Sequence, residues 1–438
     1  MITNKFSLII AVLLLPVILH AQSVKQLSLP EAIDLGITNS KNLKLAQNKI
    51  DESIARLAVV KDNVLPSATA SFLYNHAEIP TNTLTIGGGN PIHLPSRADA
   101  FVGTAAVQEV LYAGGKYKYA QESTKLLTDV ARLDADKNKE EVSYAVINTY
   151  FSLFKVMQSK KVVAQNLESI ASQLKQAQRF FEQGIVTKND VLRFQLQQAN
   201  VSLTDLEIEN NRKIINYNLD ILLGLPENTE IAITESDLPL QSVQPLNTYI
   251  STAFANRQEL QQLDLQNKVA DFNIKSIKAN KLPTVGVGAN LYYINPSGSF
   301  IPPSEQFIMP MTIGATVSWN AASLWTNKNK VSEARIQQKE IGLQKDILSD
   351  NLKTELNKNY QNYKLSVQKI NVLETSIAQA TENDRLLASK YKNNIASVTD
   401  RIDAETLLYQ AKINLELAKA DAKLAYYTLL KSTGKISQ

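Results

Sequence analysis

Asp400 and Asp403 stand three residues apart in TDRIDAETLLYQ, a stretch with a helical pattern. That spacing makes them neighbours on one helical face. The chemistry open to them is electrostatic, because grouped carboxylates favour cations and repel anions. The plainer reading is solvated charge at a helix N-terminus, where Asp is favoured on its own account. Nothing comparable supports catalysis. The chain has no Cys, which removes disulfides, thiolate nucleophiles and Cys-ligated metals. His76 and His93 lack a nearby acidic cluster, so they read as solvated loop residues and not as a metal pair. GGGN at Gly87 to Asn90 lacks the Lys-Ser/Thr of a phosphate loop and the helix that follows one, so it reads as a flexible loop. No nucleophile is paired with a base. The reading is a protein without enzymatic activity, cofactor or metal.

The aspartates follow a break in a long helical run. Asn394-Ile395-Ala396-Ser397 precedes them, and a similar break, Gly184-Ile185-Val186-Thr187, precedes Asp190. Gly184 suits the left-handed conformation that ends a helix, and Asn394 is the next-best residue for it. Thr187 and Ser397 can cap the helices that resume. The helices leading into the breaks are long. From Ala113 to about Phe181 there is no proline, a run of ~100 Å at about 1.5 Å per residue, and the run from Trp325 to Tyr391 matches it. Val163, Leu167, Ile170, Leu174, Ala177 and Phe181 step by alternating threes and fours. So do Leu373, Ile377, Ala380, Asp384, Leu387 and Tyr391, with one polar member. Leu192, Leu196, Ala199, Leu203 and Leu206 continue the spacing after the first break, and Leu408, Ala411, Leu415, Ala418, Ala422, Ala425 and Leu429 after the second. Heptad spacing predicts coiled-coil packing along these seams.

The paired breaks belong to a duplication. Asn39, Leu43, Leu65 and Pro66 recur as Asn256, Leu260, Leu282 and Pro283, an offset of 217 (256 − 39). Each half reads as helix, Leu-Pro stop, two strands around a loop, a very long helix, a break and a shorter helix. The strands alternate. Met311, Ile313, Ala315, Val317 and Trp319 oppose Thr312, Gly314, Thr316 and Ser318, and Val285, Val287, Ala289 and Leu291 oppose Thr284, Gly286, Gly288 and Asn290. Segments of about ten residues, apolar on one face and small or polar on the other, match transmembrane β-barrel strands. Tyr74, Tyr112, Tyr292, Tyr293 and Trp319 cluster at strand ends, where interfacial girdles sit. Four strands cannot close a barrel, whose smallest form has about eight, so several chains must share one.

The N-terminus has Lys5, an apolar run from Phe6 to Leu19 and Ala21 as a cleavage point, which predicts export. No later segment approaches ~18 uninterrupted apolar residues, so no helical membrane span is expected. Net charge is +4 with both signs interspersed, which argues against a nucleic-acid surface. The expected organisation begins with a signal peptide over 1–21. The first repeat covers 22–224, with strands near 67–80 and 98–112 and helices near 113–183 and 186–223. A linker at 225–247 leads to the second repeat, 248–438, with strands near 284–294 and 309–319 and helices near 325–393 and 397–431.

FEQGIVTKNDVLRFQ and YKNNIASVTDRIDAETLLYQAKINL, with LYAGG at Leu111 to Gly115, resemble the two turn motifs and the strand-to-helix junction of the TolC family of outer-membrane efflux proteins. The resemblance runs from Leu27 to about Gly434. It implies a mainly α fold with a membrane β-barrel. Three chains, a homotrimer, would give four strands each to a twelve-stranded barrel in outer-membrane lipid, above a periplasmic α-barrel. It also implies passive export of small molecules or proteins, and partnership with a periplasmic adaptor and an inner-membrane pump of RND, ABC or MFS type. By the same resemblance, Asp400 and Asp403 narrow the periplasmic gate, Asp190 and Tyr391 belong to its closing network, and Gly184, Ile185, Val186, Thr187, Asn394, Ile395, Ala396 and Ser397 form the tip turns where the adaptor docks. The family's network also uses an Arg where this chain has Ala396, so Asp190 is expected to pair with another cation: Lys188, Lys392 or Arg401. The alternatives are a secreted structural rod or the periplasmic adaptor itself. Adaptors usually carry one helical hairpin, without a full duplication and four strands.

Overall fold

The computed structural model describes residues 24–436 apart from 79, 81–82, 94–95, 228, 234–241 and 297–306. The expected signal peptide and part of the expected linker lie outside the described residues. The first half runs β1 (Lys25–Leu27), α1 (Leu29–Asn39), α2 (Lys41–Asp62), β2 (Ser67–Glu78), β3 (Thr83–Leu84), β4 (Ile92–His93), β5 (Arg97–Tyr112), α3 (Lys116–Glu182) and α4 (Lys188–Leu223). The second half runs β6 (Ile231–Ile233), α5 (Leu246–Asn256), α6 (Gln258–Ala279), β7 (Thr284–Pro296), β8 (Met311–Ser318), α7 (Ser323–Lys392) and α8 (Val398–Ser432). The duplication is visible in the element starts: α5, α6 and β7 begin 217 residues after α1, α2 and β2 (246 − 29, 258 − 41, 284 − 67).

Four strands form one antiparallel sheet in the order β2-β5-β7-β8. Its register sorts the side chains by face. Tyr74 pairs with Phe101, Ala105 with Leu291, Val107 with Ala289, and Ala289 in turn with Ile313, giving a continuous apolar row. Ser71 pairs with Thr104, Ala106 with Asn290 and Asn290 with Thr312 on the other face, where Ser71 and Thr104 hydroxyls meet at 2.6 Å. Neither face is covered: every residue of β2 and β8 is exposed, Phe72, Ile313 and Val317 by 65%, 78% and 69%. β2 and β8 are open edges, each with one partner in the sheet.

α3 and α7 span 67 and 70 residues, each ~100 Å long. Near the strands, α2 packs on α3, α3 on α6 and α6 on α7; beyond them, α4 packs on α3, α3 on α8 and α8 on α7. The helices thus form a layer with α2 and α4 along one edge and α7 along the other. At mid-length the layer is thickened by α1, α5 and the parallel pair β1–β6. Leu27, Ile147, Leu153, Leu219, Leu223 and Ile231 pack there, nearly solvent-free, and α5 builds a second cluster with Leu356, Tyr363 and Leu429. Burial lifts the Tyr150 hydroxyl to about 12.

The seam expected on α4 needs correction. Leu192, Leu196, Leu203 and Leu206 are exposed, the last by 68%. Phe194 and Val201, buried, and half-buried Ile208 make the contacts of α4 within the chain. Both rows have heptad spacing, so periodicity alone cannot say which one faces α3. Phe181 is likewise exposed, and Phe180 takes its place in the packing at the helix end. On α8 the expected seam is the packed one, with Ala411, Leu415, Ala418 and Ala422 buried.

Candidate functional site

The two helix-to-helix turns lie together at the end of the layer away from the sheet. In the first, Gly184 adopts φ +72° and its neighbour's amide, Ile185 N, reaches back to Phe180 O at 2.8 Å. In the second, Asn394 adopts φ +58° and Ile395 N reaches Lys390 O at 2.8 Å. These six-to-one bonds satisfy carbonyls that a helix end otherwise leaves open. Asn394 is the one non-glycine residue with positive φ among the described residues, and its short polar side chain tolerates that region better than most.

Each resuming helix starts with a capping box. Thr187 Oγ1 accepts from Asp190 N at 3.4 Å, while Asp190 Oδ2 accepts from Thr187 N at 2.9 Å and Thr187 Oγ1 at 2.8 Å. Ser397 and Asp400 repeat it, with Oδ2 of Asp400 accepting from Ser397 N at 3.1 Å and Ser397 Oγ at 2.8 Å. Hydrogen bonds from Ser397 hold the Asp400 carboxyl below its ordinary value. Asp190 and Asp400 therefore close helix ends. Asp403 sits in the next turn of α8, exposed, and makes no ion pair or side-chain hydrogen bond among the described residues.

The structure does not pair Asp190 with a cation among the described residues. Arg401, one of the three candidates, forms an ion pair with Asp384, the polar member of the α7 seam. That carboxylate inside an apolar row was the sequence signal for a partner on the facing helix. Tyr391 packs with Ala177, Phe194 and Val398 in an apolar cluster, its ring centre 6.1 Å from that of Phe194. Its hydroxyl is buried without a hydrogen-bond partner, and burial first, then the Asp190 charge, raises its pKa. Two further contacts join the first helix pair to the second. Arg193 donates to Thr399 Oγ1 at 2.8 Å, and Gln173 to buried Glu405 at 2.5 Å. Nothing in their local sequence marked them, because each joins residues more than 200 positions apart.

Since the Tyr391 ring packs and its hydroxyl bonds to nothing, Tyr391→Phe is expected to keep or slightly raise stability. Tyr391→Ala should cost about 3–5 kcal/mol locally. Protease sensitivity of the 392–398 turn in detergent would separate the two. Faster cleavage of the Phe variant would show that the hydroxyl has a partner.

Ile185 and Ile395 crown the turns, 45% and 74% exposed. The tip thus presents bare apolar side chains beside acidic caps, on turns whose backbone is internally satisfied. The tip therefore offers apolar contact and negative charge at its surface.

Similarity to known proteins covers both halves. The family model described as outer membrane efflux protein matches residues 32–225 and 249–435. The outer membrane efflux protein BepC of Brucella suis biovar 1 (strain 1330) is 19% identical over 436 residues, 98% of this chain and 90% of that protein. The outer membrane protein VceC from Vibrio cholerae shares the fold at TM-score 0.75 and 15% identity, covering 93% of this chain and 97% of that one. The Campylobacter jejuni CmeC outer membrane channel does so at TM-score 0.74 and 16% identity, covering 94% and 87%.

Proposed function

This chain belongs to the outer membrane efflux protein family, and from that premise we propose that three copies form a passive tunnel that exports small molecules or proteins handed over by a periplasmic adaptor and an inner-membrane pump. The carrying observation is that the chain leaves both its sheet and its helical layer with unpartnered edges. Its sheet ends in the open edges β2 and β8. Its helical layer ends in α4 and α7, whose outer faces bear Leu196, Leu206, Ile347 and Val372, all more than 60% exposed. Unpaired strand edges and bare heptad seams are liabilities in a lone chain, and neighbouring copies satisfy both. In such a ring the apolar sheet face meets hydrocarbon and the Ser71–Thr104–Asn290–Thr312 face lines the passage. Membrane location rests on the sheet, since no described helix is long and apolar enough to cross a membrane.

In this reading the two repeats each supply one strand pair and one helical hairpin, with the linker at 225–247 between them. The tips at 184–187 and 394–397 meet the adaptor. Asp400 and Asp403 narrow the passage, and Asp190 and Tyr391 hold the turns in place behind them. Asp403 is the free carboxylate of the three, so a ring of three copies of it should dominate ion choice. In planar bilayers, Asp403→Asn is expected to lower the cation-to-anion permeability ratio while trimers form normally. An unchanged ratio would remove Asp403 from the passage. Solubilised protein migrating as a monomer would overturn the tunnel itself.

A further inference from the structure

Where the strands give way to helices, the surface changes in two steps. First come large apolar and aromatic side chains: Leu65, Leu111, Trp319 and Trp325 are 63%, 60%, 54% and 65% exposed. These two tryptophans are the only ones in the chain. Then come exposed lysines: Lys61 in the last turn of α2, Lys118 in the first turn of α3, Lys278 in the last turn of α6, Lys281 in the turn that follows it, and Lys328 and Lys330 in the second turn of α7. None of the six makes an ion pair among the described residues, although lysines elsewhere, such as Lys155 and Lys345, do. Lys61, Lys118, Lys278 and Lys281 lie within about 10 Å along the axis from a strand end, and Lys328 and Lys330 within about 10 Å of the start of α7, at about 1.5 Å per helical residue. Over the whole chain the charges nearly balance, 46 basic against 42 acidic, so an unpaired cationic belt is a local feature.

Its orientation follows from the sheet. Trp319 continues the alternation of Met311, Ile313, Ala315 and Val317, the apolar face. Its indole Nε1 donates to Lys281 O at 3.0 Å, which ties a belt lysine to the lipid-facing side. Trp at the boundary with Lys one step beyond is the arrangement that suits a membrane interface, where the ring sits at headgroup level and the ammonium meets phosphate.

We propose that this belt binds the headgroups of anionic phospholipid in the inner leaflet of the outer membrane. Charge complementarity selects that occupant: the belt is cationic and unpaired, its neighbours are interfacial aromatics, and it lies on the helical side of the sheet. The site rests on the membrane placement of the sheet and is independent of the gate and of adaptor docking.

The two tryptophans make the test direct. Trimers of the full chain in detergent are titrated with dansyl-phosphatidylglycerol or dansyl-phosphatidylcholine, reading energy transfer from Trp319 and Trp325. Phosphatidylglycerol is expected to bind at least about tenfold more tightly at low salt, since each lysine near an anionic surface is worth about 1 kcal/mol, and the preference should shrink as salt rises. Lys278→Gln, Lys281→Gln, Lys328→Gln and Lys330→Gln together should erase it. The same four changed to Arg should retain it, as should Gln at Lys161, Lys175, Lys364 and Lys369, which lie far along the helices. Equal binding of the two lipids, or an undiminished preference in the Gln variant, would overturn the proposal. Competition by inorganic phosphate at equal concentration would also overturn it, because the belt would then be a general anion site. If the Gln variant fails to assemble, the salt dependence and lipid preference of the native trimer still decide.

Discussion

Replacing Ile185 and Ile395 together by aspartate is expected to abolish export while leaving the channel assembled in the outer membrane. The turns themselves should survive. Their bonds run through the backbone, from Ile185 N to Phe180 O and from Ile395 N to Lys390 O, and the capping boxes use Thr187, Asp190, Ser397 and Asp400. Neither isoleucine belongs to the cluster of Ala177, Phe194, Tyr391 and Val398 beneath. What changes is the surface that, in the proposed complex, meets the adaptor. Burying a large aliphatic side chain is worth about 1.5–3 kcal/mol, and these two begin largely exposed. Six such side chains per trimer, each replaced by a charge that resists desolvation, remove on the order of 10 kcal/mol from docking, enough to dissociate any micromolar complex. Dye efflux in cells lacking the native gene should fall to the level of the deletion, with trimers present in outer-membrane fractions and crosslinking to the adaptor lost. Efflux retained with normal crosslinking would move the docking surface off the crown of the turns.

The second large effect lies at mid-length. Asp220 on α4 is fully buried. Its Oδ2 accepts from Asn216 Nδ2 at 3.1 Å, and its Oδ1 has no hydrogen-bond partner. Asn216 also donates to Thr229 O at 2.7 Å and accepts from Ile231 N at 3.0 Å, so this pair fastens β6, and through β6 the strand β1, onto α4. Arg212, Lys213, Tyr217 and Glu230 line the adjoining cavity of about 250 Å³. Arg212 is engaged by Glu209 and Glu230, and Lys213 by Glu209, which leaves Asp220 without a cation. Burial pushes its carboxyl up to about 6, against the opposing hydrogen bonds from Asn216 and Thr229.

A carboxyl raised by folding favours the neutral form in the native state. Its stabilising contribution is complete below about pH 4 and is lost as pH rises through about 6. The cost of the buried charge at neutral pH is on the order of 2–3 kcal/mol. The β6 attachment should therefore loosen between about pH 4 and 6.5 and level off above that. Hydrogen exchange at the Ile231 amide is expected to quicken over that range beyond the intrinsic pH effect, and Asp220→Asn should flatten the trend and protect Ile231 more strongly at pH 7.5. Protection that follows only the intrinsic rate in both proteins would mean that Asp220 titrates normally.

Much of this architecture was legible because it depends on local properties. Strand alternation assigned Ile313 and Val317 to one face without reference to any neighbour. The duplicated Leu-Pro stops located the second repeat, and Gly184 and Asn394 marked turns because few other residues hold positive φ. The α4 seam was illegible for a physical reason. That helix carries two apolar heptad rows, Leu192–Leu206 and Phe194–Ile208, and a helix with apolar rows on two sides has no single amphipathic face. The residues proposed for the gate show the same boundary. Asp190 and Asp400 were recognisable as acids near helix starts, but Arg401 could have turned to Asp190 or to Asp384. The position of α7 against α8 decided for Asp384.

The sequence by itself determined the two-repeat plan, the strand faces, the helix lengths and the turns, since each is a matter of spacing along one chain. Only the tertiary structure decided which apolar row each helix buries, which carboxylate stays free at the tip, and that Asp220 is buried without a cation among the described residues. Those outcomes depend on what folding brings alongside: Asp384 beside Arg401 across the α7–α8 turn, Gln173 beside Glu405 from the other half of the chain, and β6 folded back over α4.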